Sequence, residues 1–274
     1  MEPFLRWVGG KRWLAPTLVK RIREHLSGTY YEPFIGSGAV FFQLAPKRAC
    51  VADTLEALTA TYRAVKDDAI EVWKHTDIFA RECDSPETYE LFRSRFNALL
   101  SHGQYTNEFA ALFIYLNRTG FNGLWRQNKD GEFNVPYGDH SKLKLPSFAD
   151  LLTASQILQS TSIHTISHSD ETLDLIRQAE SGDVVYADPP YVDTFQDYDG
   201  LIKSSNDFQE SLAIELWQAV RRGAIVFVTN NDCPETRRWY GAFAKIETYN
   251  RSQSIAGTVD GRKRWNQILA VGMP

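Results

Sequence analysis

Seven short runs of β-branched and aromatic residues constrain this chain most, because helical patterns lie between several of them. The runs are 29–34 (TYYEPF), 49–53 (ACVAD), 162–167 (SIHTIS), 183–188 (DVVYAD), 224–230 (AIVFVTN), 245–250 (KIETYN) and 265–272 (WNQILAVG). Stretches with helical spacing are 13–26, 39–45, 173–180 and 208–222. Strands alternating with helices predict an α/β fold, a mostly parallel sheet with helices on both faces. The last two runs have no helix between them and predict an antiparallel hairpin closing the sheet edge.

Between about Leu55 and Ser155 the alternation breaks. Three helix-like segments (55–67, 85–100 and 107–119) are followed by a polar loop rich in Gly and Asn, GFNGLWRQNKDGEFNVPYGDH. This predicts a helical insertion between the second and third strands of a sheet domain built from two sequence segments.

The fourth run ends in Asp188-Pro189-Pro190-Tyr191. Prolines fix φ and give up their amide donors, so their carbonyls can serve as acceptors outside the sheet. A carboxylate and a carbonyl beside a flat ring can grip both hydrogens of an exocyclic amine, with a planar base on the ring. Taken alone, the tetrapeptide also fits a Pro-Pro turn closing a buried strand, though less well, and Tyr191 fits a packed core aromatic.

The first run leads into Glu32-Pro33-Phe34-Ile35-Gly36-Ser37-Gly38 and then the helical AVFFQLA. Glycines at a strand-to-helix turn admit left-handed dihedrals and a ligand's close approach. Asp53 closes the second run, where an acidic residue can accept from ribose hydroxyls. The GxG also fits an ordinary βα turn, and Asp53 does not separate NAD from another adenosyl ligand. The full GxGxxG is missing, since Phe41 stands at its last position, which disfavours a standard dinucleotide site. Lys11 follows Gly9-Gly10 without phosphate-loop spacing. With Trp7 it suits a ligand carrying a carboxylate and a flat adenine, and S-adenosylmethionine offers both.

Composition narrows the class further. Over 274 residues, 43% hydrophobic and 13% aromatic describe a globular chain with a sizeable core. The net charge of −4 means that any nucleic-acid contact must come from a local basic face. The three cysteines have no paired spacing, and the histidines form no HExxH, so neither a disulfide framework nor a metal site is expected. No stretch approaches a membrane span, and a reducing cytoplasm is the default expectation.

FLRWVGGK (4–11), YEPFIGSGAVF (31–41), the block LNRTGFNGLWRQNKDGEFNVPYG (116–138) and VVYADPPY (184–191) occur in this order and spacing. Together they resemble the Dam-type (D12 class, α group) DNA adenine methyltransferases from about Phe4 to about Val271. The 116–138 block is the most specific of the four. The resemblance implies a Rossmann-like S-adenosylmethionine-dependent methyltransferase sheet with an inserted helical target-recognition domain. Residues 1–55 and 156–274 would form the catalytic domain and 56–155 the insertion.

The resemblance also implies roles. Trp7, Lys11, Glu32, Gly36, Gly38, Asp53 and Asp188 match cofactor-binding positions, with Pro33 and Phe34 in the same turn. Asp188, Pro189, Pro190 and Tyr191 match the catalytic turn. Phe121, Asn122, Leu124, Arg126 and Pro136 match positions used on the DNA target, and Arg6 stands where lysine is common. Thr119 and Trp125 depart from the pattern, and Trp125 is expected to alter fit in the groove. Arg262, Lys263 and Arg264, in the loop of the terminal hairpin, are expected to meet DNA phosphates, alongside Arg12, Arg118 and Lys129. The expected partner is double-stranded DNA, with GATC as target. No membrane or obligate protein partner is expected, and the chain is expected to be a cytoplasmic monomer of a bacterium or of a phage in its host. A cognate restriction endonuclease is compatible with the family.

Overall fold

The computed structural model describes residues 1–82, 85–138, 144–191, 206–252 and 264–274. In chain order its elements are α1 (Ala15–Arg23), β1 (Tyr30–Glu32), α2 (Ala39–Leu44), β2 (Ala49–Asp53), α3 (Glu56–Arg81), α4 (Pro86–Ser101) and α5 (Asn107–Thr119). A short 3-10 turn at Phe121–Gly123 is followed by α6 (Phe148–Leu158), β3 (Thr161–Thr165), α7 (Ser169–Arg177) and β4 (Val184–Ala187). Then come α8 (Asn206–Arg221), β5 (Ile225–Asn231), α9 (Pro234–Gly241), β6 (Lys245–Ser252) and β7 (Arg264–Gly272). The seven strands take the order β3-β2-β1-β4-β5-β7-β6. β1 runs parallel to β2 and β4, and β4 parallel to β5. β7 is antiparallel to both β5 and β6.

The predicted sheet is therefore present, and the last two runs do form the antiparallel hairpin, with β6 on the outer edge. The 3-2-1-4-5 part is the doubly wound order, in which ligands sit outside the carboxyl ends of the strands. Strands β1 and β4 are buried along their length, as strands covered on both faces must be.

The chain divides into two compact units. One comprises Ile22–Phe34, Arg48–Val51 and Ile166–Pro274 and holds the strands from β4 onward with β1 and most of β2. Val184, Val185, Val226, Phe227, Val228 and Leu269 make its buried sheet core.

The other unit comprises Met1–Arg21, Ile35–Lys47 and Ala52–Thr165. Its centre is α5, buried on nearly every side from Phe109 to Leu116, as expected of a helix that is apolar all round. Thr106 caps α5 by accepting from the Phe109 N–H at 3.2 Å, and Ser85 caps α4 through the Thr88 N–H at 3.2 Å. Helix α3 is broken at Asp68, whose backbone leaves helical values. Its carboxylate accepts from the Glu71 N–H at 3.0 Å and so starts the second half afresh. Helix α6 starts at a reciprocal capping box formed by Ser147 and Asp150, a signal independent of apolar spacing. The short α9 is opened by Pro234 at its first turn.

Candidate active site and DNA-recognition ribbon

In the sheet unit, β4 delivers Asp188 to the end of the strand. The register pairs Ala187 with Val228, so the next step along the parallel ladder sets Asp188 beside Thr229. Thr229 Oγ1 donates to Asp188 Oδ1 at 2.7 Å. Behind it, the Tyr186 hydroxyl lies 3.2 Å from Thr229 Oγ1. Tyr186 and Asp188 share a face because strand side chains alternate. Burial, and then the Asp188 carboxylate, push the Tyr186 hydroxyl well above its usual pKa, so it stays protonated.

The prolines are fixed from another side. Gln209, fully buried one turn into α8, donates its Nε2 to the Pro190 carbonyl at 2.7 Å. Asn230 Nδ2 donates in turn to Gln209 Oε1 at 3.2 Å. Neither Thr229 nor Gln209 was picked out from the sequence. The signal was there: TNN ends an otherwise apolar strand, and all three residues are buried. Buried polar side chains are retained where they have partners to satisfy.

Glu32 closes β1, is 2% exposed, and accepts from the Tyr30 hydroxyl at 2.8 Å. Pro33 is buried, and Phe34 meets Phe208 of α8 edge-on with centroids 6.3 Å apart.

The glycine turn itself lies in the other unit. Gly36 and Gly38 have φ of 47° and 66°, values that L side chains rarely adopt. A Cβ on Gly36 would sit 3.0 Å from the Trp7 ring, and one on Gly38 2.9 Å from Phe42. Asp53 ties this turn down: its carboxylate accepts from the Gly36 N–H at 2.9 Å and the Leu55 N–H at 3.1 Å. The Tyr62 hydroxyl donates to the Gly36 carbonyl at 2.6 Å. Lys11, 4% exposed, donates to the Gly9 carbonyl at 2.9 Å. Trp7, Gly36, Gly38 and Asp53 are thus gathered around one turn whose backbone no Cβ crowds, and Lys11 stands four residues after Trp7. These residues fit an adenosyl ligand with an amino-acid tail.

Three separated motifs converge elsewhere in this unit. The Asn117 amide pairs reciprocally with the backbone of Arg6, accepting from its N–H at 2.8 Å and donating to its carbonyl at 2.9 Å. Asn122 and Gly123 follow with φ of 55° and 64°, the left-handed pair that Asn-Gly favours in tight turns. A Cβ on Gly123 would lie 2.5 Å from Arg6 Cβ.

From there the chain makes a ribbon and returns. Phe121 N–H donates to the Pro136 carbonyl at 2.9 Å, and Asn134 N–H to the Arg126 carbonyl at 3.0 Å. Isolated bridges pair Gly120 with Tyr137 and Gln127 with Phe133. Helix α4 supports the returning arm, with the Tyr89 hydroxyl on the Val135 carbonyl at 2.9 Å and Asn97 paired to Phe133. Phe121, Asn122, Arg126 and Pro136 are exposed on this ribbon, and Leu124 is half-buried. Arg126 donates Nε to Asn134 Oδ1 at 2.7 Å and one terminal amine to the Asn134 carbonyl at 2.9 Å.

The two departures from the family pattern lie beneath the ribbon. Trp125 does not present itself to a groove: it is 7% exposed and packs against Phe133 and Phe113 at centroid distances of 5.2 and 5.4 Å. Thr119 is fully buried, its hydroxyl donating back to the Tyr115 carbonyl at 2.7 Å. Both departures from the family pattern are core substitutions beneath the ribbon.

Arg6, Arg12 and Arg118 form a cationic group. Arg6 donates to the Arg118 carbonyl at 3.3 Å and Arg12 to the Leu5 carbonyl at 2.7 Å, while Arg118 Nε donates to the Lys144 carbonyl at 2.7 Å. Burial, then the neighbouring Arg6 and Arg12, bring Arg118 down to about 10, which leaves it charged at neutral pH. Lys129 is exposed at the ribbon tip. Arg262 and Lys263 lie outside the described residues, and Arg264 is described only as the first residue of β7. Among the described residues no group of His, Cys, Asp and Glu could hold a metal, and no helix is long and apolar enough to cross a membrane.

A sheet of this order is a doubly wound α/β fold, the class in which ligands sit outside the carboxyl ends of the parallel strands. The model of the D12 class N6 adenine-specific DNA methyltransferases matches residues 7–255. A DNA adenine methylase of Escherichia coli (strain K12) is 32% identical, over 99% of this chain and 95% of that protein. A Type II methyltransferase of Lactococcus lactis subsp. cremoris, M1.LlaDCHI, is 33% identical over 89% of this chain and 86% of its own length. The chain belongs to the D12 class of N6 adenine-specific DNA methyltransferases. Its methyl donor is S-adenosylmethionine.

Proposed function

We propose that this enzyme methylates the N6 amine of adenine within GATC in double-stranded DNA, using the Asp188–Tyr191 turn to hold the amine and the 120–137 ribbon to choose the base. The observation that carries the reading is the fixed Asp188-Pro189-Pro190 turn, with Thr229 on its carboxylate and Gln209 on its last proline carbonyl.

The adenine amine is a weak nucleophile because its lone pair is delocalised into the ring. Asp188 accepts one amino hydrogen and the Pro189 carbonyl the other, which draws the nitrogen towards a tetrahedral shape with its lone pair available. Tyr191 stacks on the base, which has left the duplex to reach the turn. The turn works through electrostatic preorganisation and positioning, and the amino proton leaves after the methyl has passed from sulfur to nitrogen, the S–C bond breaking as the N–C bond forms. Bound S-adenosylmethionine supplies an electrophilic methyl group on its sulfonium. Trp7, Lys11, Glu32, Pro33, Phe34, Gly36, Gly38 and Asp53 are the residues assigned to bind it, with Asp188.

Residues 56–155 act as the target-recognition insertion on the sheet domain of residues 1–55 and 156–274. Arg6 and Arg126 read guanine edges, Leu124 and Pro136 meet a thymine methyl, and Phe121 with Asn122 takes the place of the flipped base. Arg118, Arg12, Lys129 and the Arg262–Arg264 run supply phosphate contacts that set register. Arg126→Ala is expected to cost about 1–3 kcal/mol of binding to GATC duplex and to relax discrimination at the guanine. Competition binding against single-base variants of the site measures both effects.

The target itself is tested by incubating plasmid with enzyme and methyl donor, then with an endonuclease that cuts only unmethylated GATC. Complete protection is expected. Full cleavage of DNA that has nonetheless acquired methyl groups would assign a different target sequence.

A further inference from the structure

The Asp188 carboxylate can receive an amino hydrogen in the right direction only if its own plane is set beforehand. Two neighbouring residues of β5 stand behind the turn. Asn230 acts through Gln209 on the Pro190 carbonyl and so fixes the backbone. Thr229 acts on the carboxylate directly.

The hydroxyl of Thr229 has one hydrogen and gives it to Asp188 Oδ1. In its contact with Tyr186 it must therefore be the acceptor. Tyr186, kept protonated by burial, is the donor, and the relay has one direction: Tyr186 to Thr229 to Asp188. Both Tyr186 and Thr229 are shielded from solvent, at 1% and 0% exposure. Water does not compete there, and hydrogen bonds in such surroundings polarise one another.

We propose that Thr229 is a positioning residue for methyl transfer, orienting the Asp188 carboxylate through a one-way relay that begins at Tyr186. The assignment rests on the reading of Asp188 as the acceptor for the adenine amine. Thr229 lies behind the carboxylate and is assigned no contact with the substrate. Losing its hydroxyl therefore lowers kcat and leaves the KM values for duplex and methyl donor nearly unchanged.

The test compares Thr229→Val, Thr229→Ala and Thr229→Ser in the full-length enzyme, by steady-state methylation of a GATC duplex. Val keeps the shape without the hydroxyl. Ala and Ser both lose the methyl, and only Ala loses the hydroxyl, so their ratio isolates the hydroxyl even if Val packs badly. The expected result is a fall in kcat of about 10- to 100-fold for Val and Ala, the scale of a small misplacement at a reacting centre. Ser should stay within about threefold of wild type, and both KM values within about threefold throughout. Wild-type kcat in Val, or equal kcat in Ser and Ala, overturns the proposal. Asp188→Ala is measured alongside. Retained activity there would overturn the reading of the turn itself, whereas its loss together with normal Thr229 variants would overturn only the positioning role.

Discussion

Asp188→Ala is expected to reduce methyl transfer by about a thousandfold, the scale of removing a preorganised polar group at a reacting centre, while duplex affinity stays within about threefold. The asymmetry follows from where the carboxylate sits. Asp188 is held by Thr229 at the end of β4, on the sheet and not on the 120–137 segment. A single-turnover methylation assay and a binding titration with the same duplex separate the two quantities. Parallel loss of both would show that Asp188 organises the protein or binds DNA, and would remove it from the chemistry.

Gly123→Ala is the second large effect, and it concerns recognition. Two costs add at this position. The φ of 64° puts an L side chain in the left-handed region, at about 1–2 kcal/mol. The new Cβ would also fall 2.5 Å from Arg6 Cβ, and overpacking of this kind costs about 1–3 kcal/mol. Arg6 cannot move aside cheaply, because Asn117 pins its backbone through two hydrogen bonds. The variant should lose about 2–5 kcal/mol of stability and bind GATC and non-GATC duplexes alike. Gly131→Ala is the control. Its φ is 79°, with nothing within 4 Å of the added Cβ, so it carries the backbone term alone. Thermal melts in which the two variants matched would show that Gly123 is not a packing contact with Arg6.

The sheet was readable from the sequence because its strands are β-branched runs and its helices keep a regular apolar spacing. The helical insertion stood out for the same reason in reverse, as a long break in the alternation. Short or weakly patterned elements were not readable: α9 spans eight residues and carries no apolar period. At the site, the chemical motif was visible while its support was not. Thr229 and Gln209 sit inside an apolar strand and an amphipathic helix, where local sequence does not tell a core filler from a buried hydrogen-bond partner.

Asn122 illustrates a different limit. It was assigned to DNA, yet its left-handed φ also gives it a backbone role in the turn that brings Gly123 against Arg6. Trp125 is a second case: it packs among Phe96, Phe113 and Phe133, a burial that its place in a polar, Gly- and Asn-rich block does not display.

Methyl transfer to the N6 amine of adenine in duplex GATC is measured by incubating the enzyme with methyl-labelled S-adenosylmethionine and a GATC duplex, then digesting the DNA to nucleosides. The predicted result is label recovered as N6-methyladenine, with none from a duplex in which the site is scrambled. Label on cytosine, label on RNA alone, or no label on any duplex would contradict it.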